Sequence, residues 1–183
     1  MNLLPLLDGQ KVRLSSLSHD DAPIIAHWYK DSLFGRLFDT MPARPRSVGQ
    51  ITDWLDGEQR DKNSYFFSIR RKDDDALVGI CDISGIEWVH RVGWIAVALG
   101  ERAHWGKGYG KESMRLLIDF GFYELNLHRL QLNVFSYNER AIALYEKLGF
   151  VREGAQREYI QRDNQRFDLV MYGLLSYEWP AKP

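Results

Sequence analysis

The chain has 183 residues, with 24 Lys+Arg against 25 Asp+Glu for a net charge of −1, and is 45% hydrophobic and 13% aromatic. That is enough apolar material for one core and one domain, 1–183, and it excludes a disordered chain; the balanced charge argues against a dedicated nucleic-acid or membrane-surface binder. The single cysteine, Cys81, excludes an internal disulfide framework and a cysteine-based zinc cluster, and reads as a small buried hydrophobe.

No segment approaches the roughly 20 apolar residues of a membrane span. Met1–Leu7 is apolar but short and lacks a basic leader, so it makes a poor signal peptide, and a cytoplasmic location is expected. Lys11–Ser15 reads as a first strand and Asp20–Tyr29 as a helix with Ser18 or Asp20 at its cap. Pro42 and Pro45 mark a loop. Ser47–Glu58 reads as a second helix, because Val48, Ile51, Trp54 and Leu55 share one face. Tyr65–Arg70, Leu77–Ile86 and Val92–Leu99 read as strands of an antiparallel meander. Between the first two, Asp73-Asp74-Asp75 reads as a solvated hairpin tip, with a metal site as the alternative.

Lys111–Leu125 carries Met114, Leu117, Ile118, Phe122 and Leu125 at helical spacing. Leu130, Leu132 and Val134 alternate as a strand. Glu139–Leu148 reads as a helix capped by Asn138 and stopped by Gly149, and Phe150–Tyr159 and Phe167–Leu175 as final strands. A strand, a glycine loop, a helix and a further strand in succession imply a crossover and a locally parallel pair. The expected class is mixed α/β with helices on both faces of the sheet.

The loop Trp105-Gly106-Lys107-Gly108-Tyr109-Gly110-Lys111 opens a helix. Glycines allow close backbone approach, and a helix start offers free N–H groups and a positive dipole end, so this is an anion site or a plain tight turn. A Walker loop is excluded: it needs glycine where Trp105 stands, and Ser or Thr where Glu112 stands. The dinucleotide fingerprint also fails, since its third glycine falls on Lys111 or Ser113.

Gly108-Tyr-Gly110 at a helix start resembles the acyl-CoA pyrophosphate loop of the GNAT N-acetyltransferase superfamily. Asn138-Glu-Arg-Ala-Ile-Ala-Leu-Tyr145-Glu-Lys-Leu-Gly-Phe150 resembles that family's second signature. Both occur in the family's order, and the element order from Lys11 to Leu175 fits as well. Trp105 stands where the family commonly has Gln or Arg. The Trp-Gly-Lys-Gly-Tyr variant is similar to the ribosomal-protein N-terminal and spermidine N-acetyltransferases.

The resemblance implies a mostly antiparallel sheet whose one parallel pair splays around acetyl-CoA as cosubstrate, with no metal. It places Trp105, Gly106, Lys107, Gly108, Tyr109, Gly110, Lys111 and Asn138 at the cofactor, together with the strand end Val97, Ala98 and Leu99. Acetyl then passes directly to a primary amine through a tetrahedral intermediate. Tyr145 is the candidate general acid, although Ala141, Leu144, Tyr145 and Leu148 also form one apolar face. Glu87 is the first candidate base, with His90, Asp82 and His104 behind it.

The aromatic segment Trp28, Tyr29, Phe34, Phe38 and Trp54 falls where the family covers its acceptor cleft, and Asp31 or Asp39 there suits a cationic amine; the same rings suit core packing. Arg152, Arg157, Arg162 and Arg166 alternate with acids and read as a solvated face. A peptide N-terminus, a polyamine and another small amine remain open as acceptors, no membrane or nucleic-acid partner is expected, and unpaired strand edges leave room for a homodimer. A non-catalytic acyl-CoA-binding sensor with the same fold is the alternative function.

Overall fold

The computed structural model describes residues 6–180, so the first part of the apolar stretch, Met1–Pro5, lies outside it. β1 (Val12–Ser15), β2 (Tyr65–Arg71), β3 (Leu77–Glu87) and β4 (Val92–Leu99) form the expected antiparallel meander. Its β2–β3 tip is the acidic run, where Asp73 and Asp74 pair with Arg71. Three helices separate β1 from β2. α1 (Ala22–Trp28) follows a 3-10 turn at His19–Asp21, in which the Ser18 amide donates to the Asp21 carboxylate at 3.0 Å. α2 (Ser32–Phe38) is a helix that the sequence does not announce. α3 (Val48–Arg60) is capped by Ser47, whose hydroxyl accepts from Gln50 N at 3.2 Å.

α4 (Tyr109–Asp119) carries the chain from β4 to β5 (Arg129–Phe135), which run parallel. The expected α-helix to Leu125 instead ends at Asp119 and widens into a π-helical turn, Phe120–Glu124. That turn buries both Phe120 and Phe122, and Phe120 meets Tyr65 and Phe67 edge-on. α5 (Glu139–Lys147) stops at Gly149, which takes φ +93°, and a long hairpin of β6 (Val151–Arg162) and β7 (Gln165–Leu175) completes the sheet.

The strand order is β1-β2-β3-β4-β5-β7-β6, and every neighbouring pair is antiparallel except β4–β5. That parallel ladder covers only Val92–Trp94 against Arg129–Gln131. Beyond it β4 stays paired to β3 out to Leu99, and β5 to β7 out to Phe135, but not to each other. The sheet therefore opens as a V toward the C-terminal ends of β4 and β5. Helices cover both faces. Met114, Leu117 and Ile118 of α4 pack with Cys81, Ile83, Ile95, Leu130 and Leu132 in the larger core. Ile25 and Trp28 of α1, Phe34 of α2, and Ile51 and Leu55 of α3 pack on the opposite side against Leu77, Ile80 and Ala98. Cys81 is buried in the first core, as its composition-level reading implies.

Candidate active site

The glycine loop lies at the mouth of the V. Gly106 and Gly108 take φ +74° and +89°, left-handed values that glycine adopts without strain. A Cβ on Gly106 would meet nothing within 4 Å, and one on Gly108 would meet only the Lys11 ammonium at 3.4 Å, so open space lies over the loop backbone. Gly108 is the N-cap of α4 and supplies no side-chain acceptor. The first N–H groups of α4 are thus left for an outside anion. Glu112 in the first turn does not compete for them. Its carboxylate is turned to β1, accepting from the amides of Gln10 (2.8 Å), Lys11 (2.8 Å) and Val12 (2.9 Å), and so fixes the start of α4 to the sheet.

Trp105 donates its indole N–H to Leu99 O at 3.3 Å, and Arg140 of α5 lies over its ring at 4.3 Å. A guanidinium thus reaches this corner from α5. Val97, Ala98 and Leu99 form the part of β4 that borders the V without a β5 partner. Tyr109 is half-buried and its ring lies 6.3 Å from His104; Lys107 and Lys111 are exposed. Asn138 is the N-cap of α5, its side-chain oxygen accepting from Ala141 N at 3.3 Å.

Tyr145 is buried in the larger core, edge-on to Phe150 at 6.0 Å. Burial pushes its phenol up to about 12, with the charge of Asp82 adding to the effect. The two residues are thus electrostatic neighbours although they stand on different elements. Asp82 lies in the middle of β3, cross-strand from Phe66 and Ala96, so its side chain shares their face, on the side of α1–α3. Its carboxyl is raised to about 7, first by burial and further by the charge of Glu58; a hydrogen bond from Ser84 opposes the rise. Glu58 of α3 is itself raised, chiefly by burial, while it accepts from the Trp54 indole at 2.9 Å. Trp54 in turn meets Phe66 edge-on at 5.8 Å.

Glu87 stands elsewhere. It is exposed at the end of β3, opposite Val92 at the closed end of the V, and His90 is exposed in the following turn. Five strand residues, about 16 Å, separate Glu87 from Asp82. Glu58 was not visible as a site residue. The signal available was a tryptophan and a glutamate four apart on one helix face. Asp31 caps α2 through Leu33 N at 3.0 Å and pairs with Arg102 at 2.8 Å, and Asp39 pairs with Arg46, so both acids have structural partners. Phe34 and Trp28 are core residues. Among the described residues no group of three or more His, Cys, Asp or Glu side chains is placed to hold a metal ion, and no helix is long and apolar enough to cross a membrane.

The acetyltransferase (GNAT) domain model matches residues 11–151. The chain belongs to the GNAT acetyltransferase family. It is 29% identical over 174 residues to an uncharacterized N-acetyltransferase of Bacillus licheniformis, covering 93% of this chain and 96% of that protein. It is 26% identical over 148 residues to the spermidine N(1)-acetyltransferase of Escherichia coli, covering 81% and 72%. The fold superposes on the Vibrio cholerae spermidine N-acetyltransferase, solved in complex with CoA and spermine, with a TM-score of 0.83 at 22% identity over 92% of this chain and 97% of that one. As a GNAT protein the chain is an acyltransferase, and the family's acyl donor is acetyl-CoA. The uncapped start of α4 and the open space above Gly106 suit the diphosphate of such a donor.

Proposed function

We propose that this GNAT protein transfers acetyl from acetyl-CoA to the primary amine of a cationic small molecule or peptide, with Asp82 as base and Tyr145 as acid. The observations that carry the reading are a buried aspartate, Asp82, raised to about 7 and cross-strand from Ala96 on the stretch of β4 that has no β5 partner, and a buried phenol, Tyr145, that is raised to about 12 by burial and by the charge of Asp82. The loop 106–111 would hold the diphosphate through backbone N–H groups, and Val97–Leu99 would border the pantetheine arm.

An amine with pKa ~10.4 arrives protonated at neutral pH. Asp82 is half ionised there and can take one proton, leaving nitrogen with a lone pair. As the N–C bond forms, an amide on the free edge of β4 would donate to the developing oxyanion. Burial makes tyrosinate costly, so Tyr145 would donate to the sulfur as the C–S bond breaks and take up the second proton of the acylated nitrogen, leaving a neutral amide, the CoA thiol and protonated Asp82. Trp54, Phe66 and Glu58 near Asp82 provide apolar area and negative charge, which favours a cationic acceptor. The spermidine acetyltransferases among the relatives make a polyamine the first acceptor to assay, with a peptide N-terminus next.

Thiol release from acetyl-CoA across a panel of polyamines, peptide N-termini and simple amines tests the reading. Tyr145→Phe is expected to lower kcat about a hundredfold or more with little change in the KM for acetyl-CoA. The wild-type profile of kcat/KM should rise with pH through about 7, as Asp82 ionises, and Asp82→Asn should remove that limb. Loss of the limb in Glu87→Gln instead would return the base to the β3–β4 turn. CoA binding without thiol release from any amine would favour the sensor.

A further inference from the structure

A second cavity, of about 360 Å³, adjoins the glycine loop on the side of β1 and β2, away from the V. Lys11, Arg71, Lys72, Lys107, Tyr109 and Asp73 line it. The strands explain the gathering. β1 begins, β2 ends and β4 ends at one end of the sheet, so residues far apart in sequence converge beside the start of α4. Arg71 is held by Asp73 and Asp74 and bonds Tyr109, and Lys72 is held by Asp8 at 2.8 Å. Lys11 and Lys107 differ. Lys11 donates to the Lys107 carbonyl at 3.0 Å, and among the described residues neither ammonium has a carboxylate partner. Two uncompensated cations therefore sit on a cavity whose wall includes two residues of the loop itself.

We propose that this cavity takes the 3′-phosphate of CoA, with Lys11 and Lys107 as its charge partners, so that the donor is gripped at two separate anionic groups. The inference rests on the acetyl-CoA reading above. The diphosphate lies at the α4 amides, and a ribose monophosphate attached to it extends over Lys107 and Tyr109 into the cavity. A phosphomonoester is close to doubly charged at neutral pH, and ammonium groups bind it as point charges. The Lys11–Lys107 hydrogen bond joins the cavity to the loop, which couples the two grips.

Calorimetric titration with CoA and with 3′-dephospho-CoA separates this site from the loop. Wild-type protein is expected to bind CoA about thirtyfold more tightly than dephospho-CoA, the scale of one or two charge-assisted hydrogen bonds. Lys11→Met alone should reduce that ratio, and the Lys11→Met/Lys107→Met double variant should bring it below about threefold, CoA losing more affinity than dephospho-CoA at each step. The wild-type ratio should also shrink with added salt. Equal wild-type affinities would overturn the proposal and leave the loop assignment standing. A ratio that survives the double variant but collapses in Arg140→Gln would overturn it too, by placing the phosphate on the α5 side. If neither compound binds, the acetyl-CoA reading falls, and this proposal with it.

Discussion

The N-termini of α4 and α5 face the same mouth of the sheet and are built in opposite ways. α5 starts at Asn138, whose side chain satisfies the Ala141 amide. α4 starts at Gly108, which has no side chain to offer. α3 follows the pattern of α5, with Ser47 and Gln50 closing a capping box. A capped end has its donors occupied; an uncapped end in open space keeps them for a ligand. Two aspartates repeat the contrast. Asp21 is 2% exposed and meets Arg70 at 2.5 Å, whereas Asp82 is 8% exposed, has the Ser84 hydroxyl as its partner and is raised to about 7. In each of these pairs the scaffold member has a matched partner, a cap or a guanidinium, and the member at the candidate site has a weaker one or none of its own.

The sharpest way to break the contrast is to install a cap on α4. Gly108→Asp puts a carboxylate beside the same amides, at the cost of a left-handed φ of +89° that any side chain strains. CoA affinity should fall by more than about a hundredfold, and stability by about 1–3 kcal/mol from the strained φ; Gly108→Ala should share the stability loss and keep more of the affinity, as calorimetry and thermal melting would show. Unchanged affinity would mean that the free amides have no ligand role.

The next largest effect concerns the buried carboxylate. Asp82 has a folded pKa above its unfolded one, so the folded state binds more protons between roughly 4 and 7. Stability is therefore lost as pH rises through that window. Asp82→Asn should gain up to about 4 kcal/mol at pH 8, by denaturant titration, and nothing below pH 3. The gain should accompany loss of activity. At α5, Asn138→Ala should cost about 1 kcal/mol of stability. Asn138→Asp keeps the cap and removes the amide donor, so a raised KM for acetyl-CoA at unchanged stability would assign that donor to the cosubstrate. The smallest effect belongs to Gly110→Ala. Its new Cβ would sit 3.6 Å from Leu99 and 3.9 Å from Leu144, ordinary contact distances, and affinity should change less than about threefold.

The strand meander, the crossover and α5 were legible because alternation, glycine punctuation and the Asn138 and Gly149 signals all agree. α2 was not. Seven residues with Gly35 near the middle carry little intrinsic helix preference, and its stability comes from Phe34 in the core and from Asp31, which reaches Arg102 across the fold. The π-helical turn escaped for another reason: the apolar spacing runs smoothly past Asp119, and the need to bury Phe120 against Tyr65 and Phe67 is a tertiary demand. Asp82 was visible as an acid inside an apolar run. Proximity to the turn favoured Glu87 over it, and only the pairing with Phe66 and Ala96 shows which one is shut away from water.

The short β4–β5 ladder has a consequence for mechanics. Among the described residues the β4–β5 ladder has three rungs, extended at the closed end by Arg91 O accepting from His128 N and Arg129 N, so an extended molecule lodged in the open part of the gap would act as a removable strand. Saturating CoA should then slow amide hydrogen exchange along Ile95–Leu99 and raise the melting temperature, by about 2.7 kcal/mol of mass-action stabilisation at a hundred times Kd. The protein would be stiffest while CoA or its thioester is bound and loosest once the thiol product has left.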